Sequence, residues 1–97
     1  MLDDITKHAL PEISASEHAD ELSRTLQEMR GQHLNIDASG VNRIDTPCLQ
    51  VLLAAAKQWM KDGVALKLAE PSEAFEASIA MLGLSIEQFE TESMPNV

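Results

Sequence analysis

The apolar residues of this chain recur with two different periods, and these periods predict strands and helices in alternation. Apolar side chains occupy every second position over residues 34–38 and 64–68, which is typical of strands with one buried face. Residues 5–10, closed by Pro11, predict another strand ahead of them. Strands separated by helical segments imply a parallel sheet with right-handed crossovers, so the predicted fold class is α/β.

Helical segments follow each of these strands, and the first carries its apolar residues on one face. A capping box at Ser14 and Glu17 is expected to begin this helix, and Gly31 follows its last turn. At 100° per residue its apolar side chains fall within about 80° of arc. They are Ala19, Leu22, Leu26 and Met29.

The second and third helices have sharper boundaries in the sequence. Thr46 is expected to be the N-cap of the second helix, with Pro47 as its first residue and Gly63 just beyond its end. Ser72 is expected to cap the third helix, and a last turn over residues 85–89 follows it. The predicted apolar face of the third helix consists of Phe75, Ile79 and Leu82.

Length and charge narrow the classes of protein. The 97 residues leave room for one domain, which we assign to residues 1–90, and residues 91–97 are predicted to be a disordered tail. Lys and Arg number 7 against 16 Asp and Glu, so the net charge is −9. Phosphates and anionic lipid surfaces repel such a chain, which argues against nucleic acid and membrane surfaces as partners.

The compartment is predicted from the cysteine content and from the absence of targeting patterns. Cys48 is the single cysteine, so no intrachain disulfide can form and a reducing compartment is expected. No apolar run approaches the roughly 20 residues of a spanning helix, and no signal-peptide pattern is visible at the start of the sequence. The sequence therefore predicts a cytoplasmic protein.

Three segments of the chain resemble the STAS domain, the fold of anti-sigma factor antagonists. They are LNIDASGV over residues 34–41, IDTPCL over residues 44–49 and VALKLAEPS over residues 64–72. The resemblance covers roughly residues 5–90. It implies an α/β domain whose sheet has about four strands, with helices packed mainly on one face. It also implies a function in binding other proteins, so no enzymatic activity is expected.

Pro47 occupies the position that carries the phosphorylated serine in phosphorylated STAS domains. The family's turn reads Asp-Ser-Ser-Gly, and the corresponding residues here are Asp45, Thr46, Pro47 and Cys48. Proline has no hydroxyl, so no phosphorylation is expected at this position. Thr46 is a weaker candidate acceptor, because its hydroxyl is expected to cap the helix.

A narrower resemblance is to small STAS-only proteins encoded with chemotaxis genes, of the CheS type. The continuation CLQVLLAA over residues 48–55 and the Leu10-Pro11 pair carry this resemblance. It implies binding to a CheA-type histidine kinase and assistance with phosphate drainage from a response regulator. The alternative functions are those of an anti-sigma factor antagonist or a transporter-associated STAS subunit.

The second helix carries the predicted docking surface. Its Gln50 and Lys57 lie on one side, and Trp59 lies on the opposite side, which we assign to the core. A half-exposed apolar strip beside the polar side is predicted to contain Leu49, Leu53 and Met60. The predicted partner-binding residues are Glu12, Thr46, Pro47, Gln50, Leu53 and Lys57. A monomer would suffice for this function.

Cys48 and the histidines are the remaining candidates for chemistry. Cys48 lies near a helix start, where the dipole lowers a thiol pKa, so a thiol redox sensor is a further hypothesis. Its angular position close to that of Trp59 favours a small buried residue instead. His8, His18 and His33 lie on three separate predicted elements, and no glycine-rich phosphate loop is present. No metal and no cofactor is therefore expected.

Overall fold

Residues 5–91 are described by a computed structural model, in which the strands form two separate parallel sheets. The strands are β1 (Ile5–Ala9), β2 (Ile13–Ser14), β3 (His33–Asp37), β4 (Arg43–Ile44) and β5 (Leu66–Ala69). The larger sheet has the order β1-β3-β5, and the smaller sheet pairs β2 with β4. The α/β class is confirmed, and β1, β3 and β5 correspond to the strands predicted at residues 5–10, 34–38 and 64–68. The resemblance implied about four strands in one sheet, whereas here three strands form the larger sheet and two form a separate one.

Strands β2 and β4 escaped the sequence prediction because two residues are too few to show a period. Ser14 pairs with Ile44 in this small sheet. The N–H of Asp45 extends the pairing by donating to the Ser14 carbonyl at 2.8 Å. Ser14 is therefore a buried strand residue, and the capping box expected at Ser14 and Glu17 is wrong.

Three α-helices connect and follow these strands: α1 (Ala19–Gln27), α2 (Thr46–Asp62) and α3 (Glu73–Met81). A 3-10 turn at Ser16–His18 precedes α1, and another at Ile86–Phe89 follows α3. Gly63 ends α2 with a φ of 75°, a left-handed conformation that glycine adopts without steric cost. Ser72 caps α3 as predicted, since its hydroxyl accepts from the N–H of Phe75 at 3.0 Å.

The core lies between one face of the larger sheet and the helices. Leu34 and Ile36 of β3 are paired with Leu66 and Leu68 of β5, and all four side chains are buried. Trp59 of α2 is also buried. The opposite face of the same sheet carries a row of Lys7, Asn35 and Lys67, which are in register across the three strands. The alternation of the strands thus separates a buried face from a polar one.

The end of α3 and the following turn close the domain. Phe89 is buried, and its ring meets that of Phe75 edge-on with centroids 5.9 Å apart. Leu82 is 45% exposed, so its assignment to the core is wrong. Because α3 ends at Met81, Leu82 departs from the helical direction and leaves the buried face.

Thr91 is tied to the edge of the larger sheet, although the sequence placed it in the predicted tail. Its N–H donates to the Leu66 carbonyl at 3.0 Å, and its hydroxyl accepts from the Leu66 N–H at 2.7 Å. The carboxylate of Glu90 accepts from the N–H of Leu68 at 2.9 Å, which occupies the outer edge of β5. The rest of the predicted tail, residues 92–97, lies outside the described residues.

Candidate functional site

The start of α2 lies one residue earlier than the sequence suggested. Asp45 is the N-cap, with an extended backbone, and its carbonyl accepts from the N–H groups of Cys48 and Leu49. The assignment of Thr46 as N-cap is therefore wrong. Pro47 fits the second helical position as well as the first, because the N–H groups of the whole first turn lack helical partners.

The carboxylate of Asp45 ties the start of α2 to two other parts of the chain. Arg43 donates to it from Nε and Nη2, both at 3.0 Å. Ser16 donates from its backbone N–H at 2.9 Å and from its hydroxyl at 3.2 Å. The hydrogen bonds from Arg43, and then the N–H of Ser16, hold the pKa of Asp45 below its ordinary value. Asp45 is therefore a positioning residue for the helix start.

The hydroxyl of Thr46 is not engaged in capping. Thr46 is exposed, and within residues 5–91 its side chain makes no hydrogen bond. The expectation that this hydroxyl turns back to the helix amides is wrong, because Asp45 takes the N-cap position. Thr46 and Pro47 thus present a hydroxyl and a rigid ring at the outer end of α2.

Cys48 lies beneath this end of the helix and is fully buried. Its Sγ donates to the carbonyl of Ala15 at 3.3 Å. Burial, and then the nearby charge of Asp45, raises the pKa of the thiol, so the thiolate is disfavoured. These observations favour the structural interpretation of Cys48 over the redox hypothesis.

The exposed side of α2 contains most of the predicted partner-binding residues. Gln50 and Lys57 are exposed, Leu53 is half-buried against the core, and Met60 is 63% exposed. Leu49 is only 1% exposed, so its assignment to the half-exposed strip is wrong. Leu49 lies beside the end of α3, since it lines the same groove as Ser78 and Met81.

Two grooves flank this side of α2. One, of about 400 Å³, lies between α1 and α2 and is lined in part by Gln27, Gln50 and Gln58. The other, of about 440 Å³, lies between the start of α2 and the end of α3. Pro47 borders both grooves, so the two grooves meet at the start of α2.

Met81 and Leu82 line the second groove and were missed in the sequence. Met81 is 87% exposed and Leu82 is 45% exposed, beside Thr46 and Pro47. The helical period of α3 predicted that Leu82 would be buried, and nothing in that period distinguished Leu82 from Ile79. The signal that was available is Gly83, which ends the helix and turns the chain away just beyond this pair.

Glu12 lies apart from the other predicted binding residues. It is exposed in the loop before β2, and its carbonyl accepts from the N–H groups of Asn42 and Arg43 at 2.7 and 3.0 Å. It therefore neighbours the connection that leads into α2. The other five predicted residues, Thr46 to Lys57, belong to α2 itself.

The described part of the chain offers little for metal chemistry. Among residues 5–91, no group of three His, Cys, Asp or Glu side chains is placed to hold a metal ion.

No helix in that same range is both long and apolar enough to cross a membrane. The exposed side of α2 carries a basic residue, a half-buried leucine and a rigid proline between two grooves.

The comparison with protein families agrees with this fold. A family model described as "Mlab, STAS domain" matches residues 12–90. Because this match covers most of the chain, the protein belongs to the STAS domain family. Such domains commonly mediate protein–protein interaction, as in signalling modules of the anti-sigma antagonist type. No curated protein and no solved structure matches the chain significantly.

Proposed function

We propose that this chain is a non-catalytic docking module that binds a signalling protein through the exposed side of α2. The docking face is defined as Thr46, Pro47, Gln50, Leu53 and Lys57. The single observation that supports it is the asymmetry of α2. One side is buried through Leu52 and Trp59. The docking face is exposed at Thr46, Gln50 and Lys57 and half-buried at Pro47 and Leu53.

The partner we favour is a CheA-type histidine kinase, whose support is the resemblance of residues 48–55 and of Leu10-Pro11 to chemotaxis STAS proteins. In this role the chain assists phosphate drainage from a response regulator. It acts by occupying a surface of the kinase and performs no phosphoryl transfer of its own. An anti-sigma factor and a transporter subunit are the alternative partners of the same face.

Binding through this face is proposed to be constitutive. Pro47 at the family's acceptor position cannot carry a phosphate, and its ring fixes the backbone at the helix start. Four hydrogen bonds to its carboxylate hold Asp45, the residue just before the docking face, in one place. The face is therefore preorganised, which lowers the entropic cost of association.

Two alanines provide a matched test of the docking face. Ala54 is exposed on α2 beside Gln50, and Ala80 is exposed on α3 outside the groove that Met81 lines. Ala54→Arg adds a long side chain to the docking face, and Ala80→Arg adds the same side chain elsewhere. Neither change is expected to shift the thermal midpoint by more than about 2 °C, because both sites are exposed.

Calorimetric titration of the full chain with the purified kinase then gives the decisive comparison. Ala54→Arg is expected to weaken binding by about tenfold or more, and Ala80→Arg by less than about twofold. Equal affinities for the two variants would place the contact surface elsewhere. A wild-type chain that does not bind the kinase would contradict that partner, and the same titration would then be made with the anti-sigma factor and the transporter subunit.

A further inference from the structure

The C-terminal half of α2 is positively charged, although the domain as a whole is acidic. Lys57 and Lys61 are exposed there, whereas the neighbouring Asp62 is already neutralised. Arg30 donates to its carboxylate through two hydrogen bonds of 3.1 Å, and Gln58 donates at 3.0 Å. The hydrogen bond from Arg30 is the main reason that the pKa of Asp62 is lowered.

The other helices do not share this charge. Helix α1 contains two carboxylates and one arginine, and α3 contains two glutamates and no basic residue. Helix α2 thus differs from α1 and α3 because it carries two lysines and a single carboxylate, Asp62, which is paired with Arg30. Charges of this kind select partners of the opposite sign and raise the association rate.

The opposite end of the docking face carries exposed apolar side chains, beside polar Ser16 and Asp45, which is paired with Arg43. Pro47 borders the groove of about 440 Å³, where Met81 is 87% exposed and Leu82 is 45% exposed. Half-buried Leu53 lies on α2 between this end and the lysines. From Pro47 to Lys61 the helix rises by about 21 Å at 1.5 Å per residue. Over that distance the exposed surface gains two lysines, with exposed Met60 between them in the sequence.

We infer that the contacting segment of the partner protein is apolar at one end and acidic at the other. Its apolar side chains would contact Pro47, Met81 and Leu82, and its carboxylates would face Lys57 and Lys61. This inference rests on the proposed docking function and adds the chemistry and the direction of the partner segment. A segment of about 21 Å corresponds to about 14 residues of helix.

The polar face of the sheet fits an acidic segment less well, although it also carries two lysines. Lys7 lies in a groove together with the carboxylates of Asp37 and Glu70. An incoming acidic segment would meet those negative charges as well as the lysine. Lys7 and Lys67 are exposed on that face, which makes them matched controls for the lysines of α2.

Two charge-reversed double variants test the basic end. Lys57→Glu/Lys61→Glu and Lys7→Glu/Lys67→Glu change the net charge of the chain by the same amount. The probe is the purified kinase, or whichever alternative partner passes the Ala54→Arg test. We expect the α2 double variant to lose at least tenfold in affinity in 50 mM salt. In 500 mM salt the loss should narrow to a few-fold, because the salt screens the charges. The sheet-face pair is expected to lose less than threefold.

Equal losses for the two double variants would overturn the inference, because only the total charge would then matter. A normal affinity for the α2 pair would overturn it as well. In either case a loss of binding by Ala54→Arg would still support the docking face. If Ala54→Arg also binds normally, the proposed function itself fails.

Met81→Glu tests the apolar end separately. Because this side chain is 87% exposed, the change leaves folding intact, which the thermal midpoint verifies. We expect at least a fivefold loss of affinity that persists in 500 mM salt, since an apolar contact is lost. An unchanged affinity, or a loss that disappears at high salt, would contradict an apolar contact at this end.

Discussion

Asp45 holds Ser16 by two hydrogen bonds, one from the backbone N–H at 2.9 Å and one from the hydroxyl at 3.2 Å. The two residues are separated by 29 positions in the sequence. Their contact fixes the 3-10 turn before α1 against the start of α2. The docking face begins at the next residue, Thr46, so this contact sets the position from which the face extends.

Asp45→Asn is expected to lower the thermal midpoint at pH 7, because the charge-assisted hydrogen bonds with Arg43 are lost. The folded state depresses the pKa of Asp45, so its carboxylate stabilises the fold above the unfolded value of about 3.9. This contribution disappears as the pH falls through the lower folded pKa. The difference between wild type and variant should therefore be full above about pH 5 and shrink steadily below pH 4.

Thermal melts between pH 2.5 and pH 7 measure this dependence. Glu28→Gln is the control, since the Glu28 carboxylate is exposed and makes no hydrogen bond or ion pair within the described range. A midpoint difference for Asp45→Asn that stays constant over the whole pH range would contradict the role given to its charge.

Trp59→Ala is expected to cost about 3–5 kcal/mol of unfolding free energy, because a large buried side chain is removed. The change also removes the donor of the hydrogen bond from Nε1 to the Gln32 carbonyl, at 2.7 Å. Trp59→Phe keeps most of the volume and should retain a folded domain with a smaller loss. Urea denaturation measures both, and a loss below about 1 kcal/mol for Trp59→Ala would place this residue outside the core.

Cys48 is expected to react slowly with iodoacetamide in the folded protein. Burial and the charge of Asp45 raise the pKa of its thiol, which lowers the thiolate fraction at pH 7. Cys48→Ala should cost about 1 kcal/mol and leave partner binding within about twofold. Rapid alkylation without denaturant, together with loss of binding, would instead support a thiol-based function.

No phosphate is expected on the docking face after incubation with the partner kinase and ATP. Pro47 has no acceptor group, so intact mass should be unchanged by the treatment. Thr46 keeps an exposed hydroxyl and is therefore the residue to monitor. A stoichiometric gain of one phosphate that Thr46→Val abolishes would show a phosphorylation switch and contradict constitutive binding.

The sequence was sufficient for the parts of the fold that have a clear period or a strong local signal. The alternation at Leu34 and Ile36 predicted a buried strand face, and Ser72 was correctly assigned as a cap. Gly63 marked the end of α2, because glycine readily adopts the left-handed backbone that follows a helix. These are local properties of the chain, and they do not depend on distant contacts.

Contacts between distant segments, together with the exact end of one helix, explain what the sequence did not predict. The pairing of Ser14 with Ile44 depends on how two loops meet, and it removes Ser14 from the predicted cap. The N-cap is Asp45 and not Thr46, and hydrogen bonds from Ser16 and Arg43 hold Asp45 in place. Exposed Leu82 was missed because the helical period continues past the point where α3 ends.

Docking through the exposed side of α2 is tested most directly by mapping the contact in solution. Nitrogen-15 spectra of the full chain are recorded with and without the unlabelled partner, and the shifted or broadened amides are assigned. We expect the changes to centre on Gln50, Leu53 and Lys57 and to extend to Met81 and Leu82. Changes centred on Lys7, Asn35 and Lys67 of the sheet face, with α2 unaffected, would contradict it.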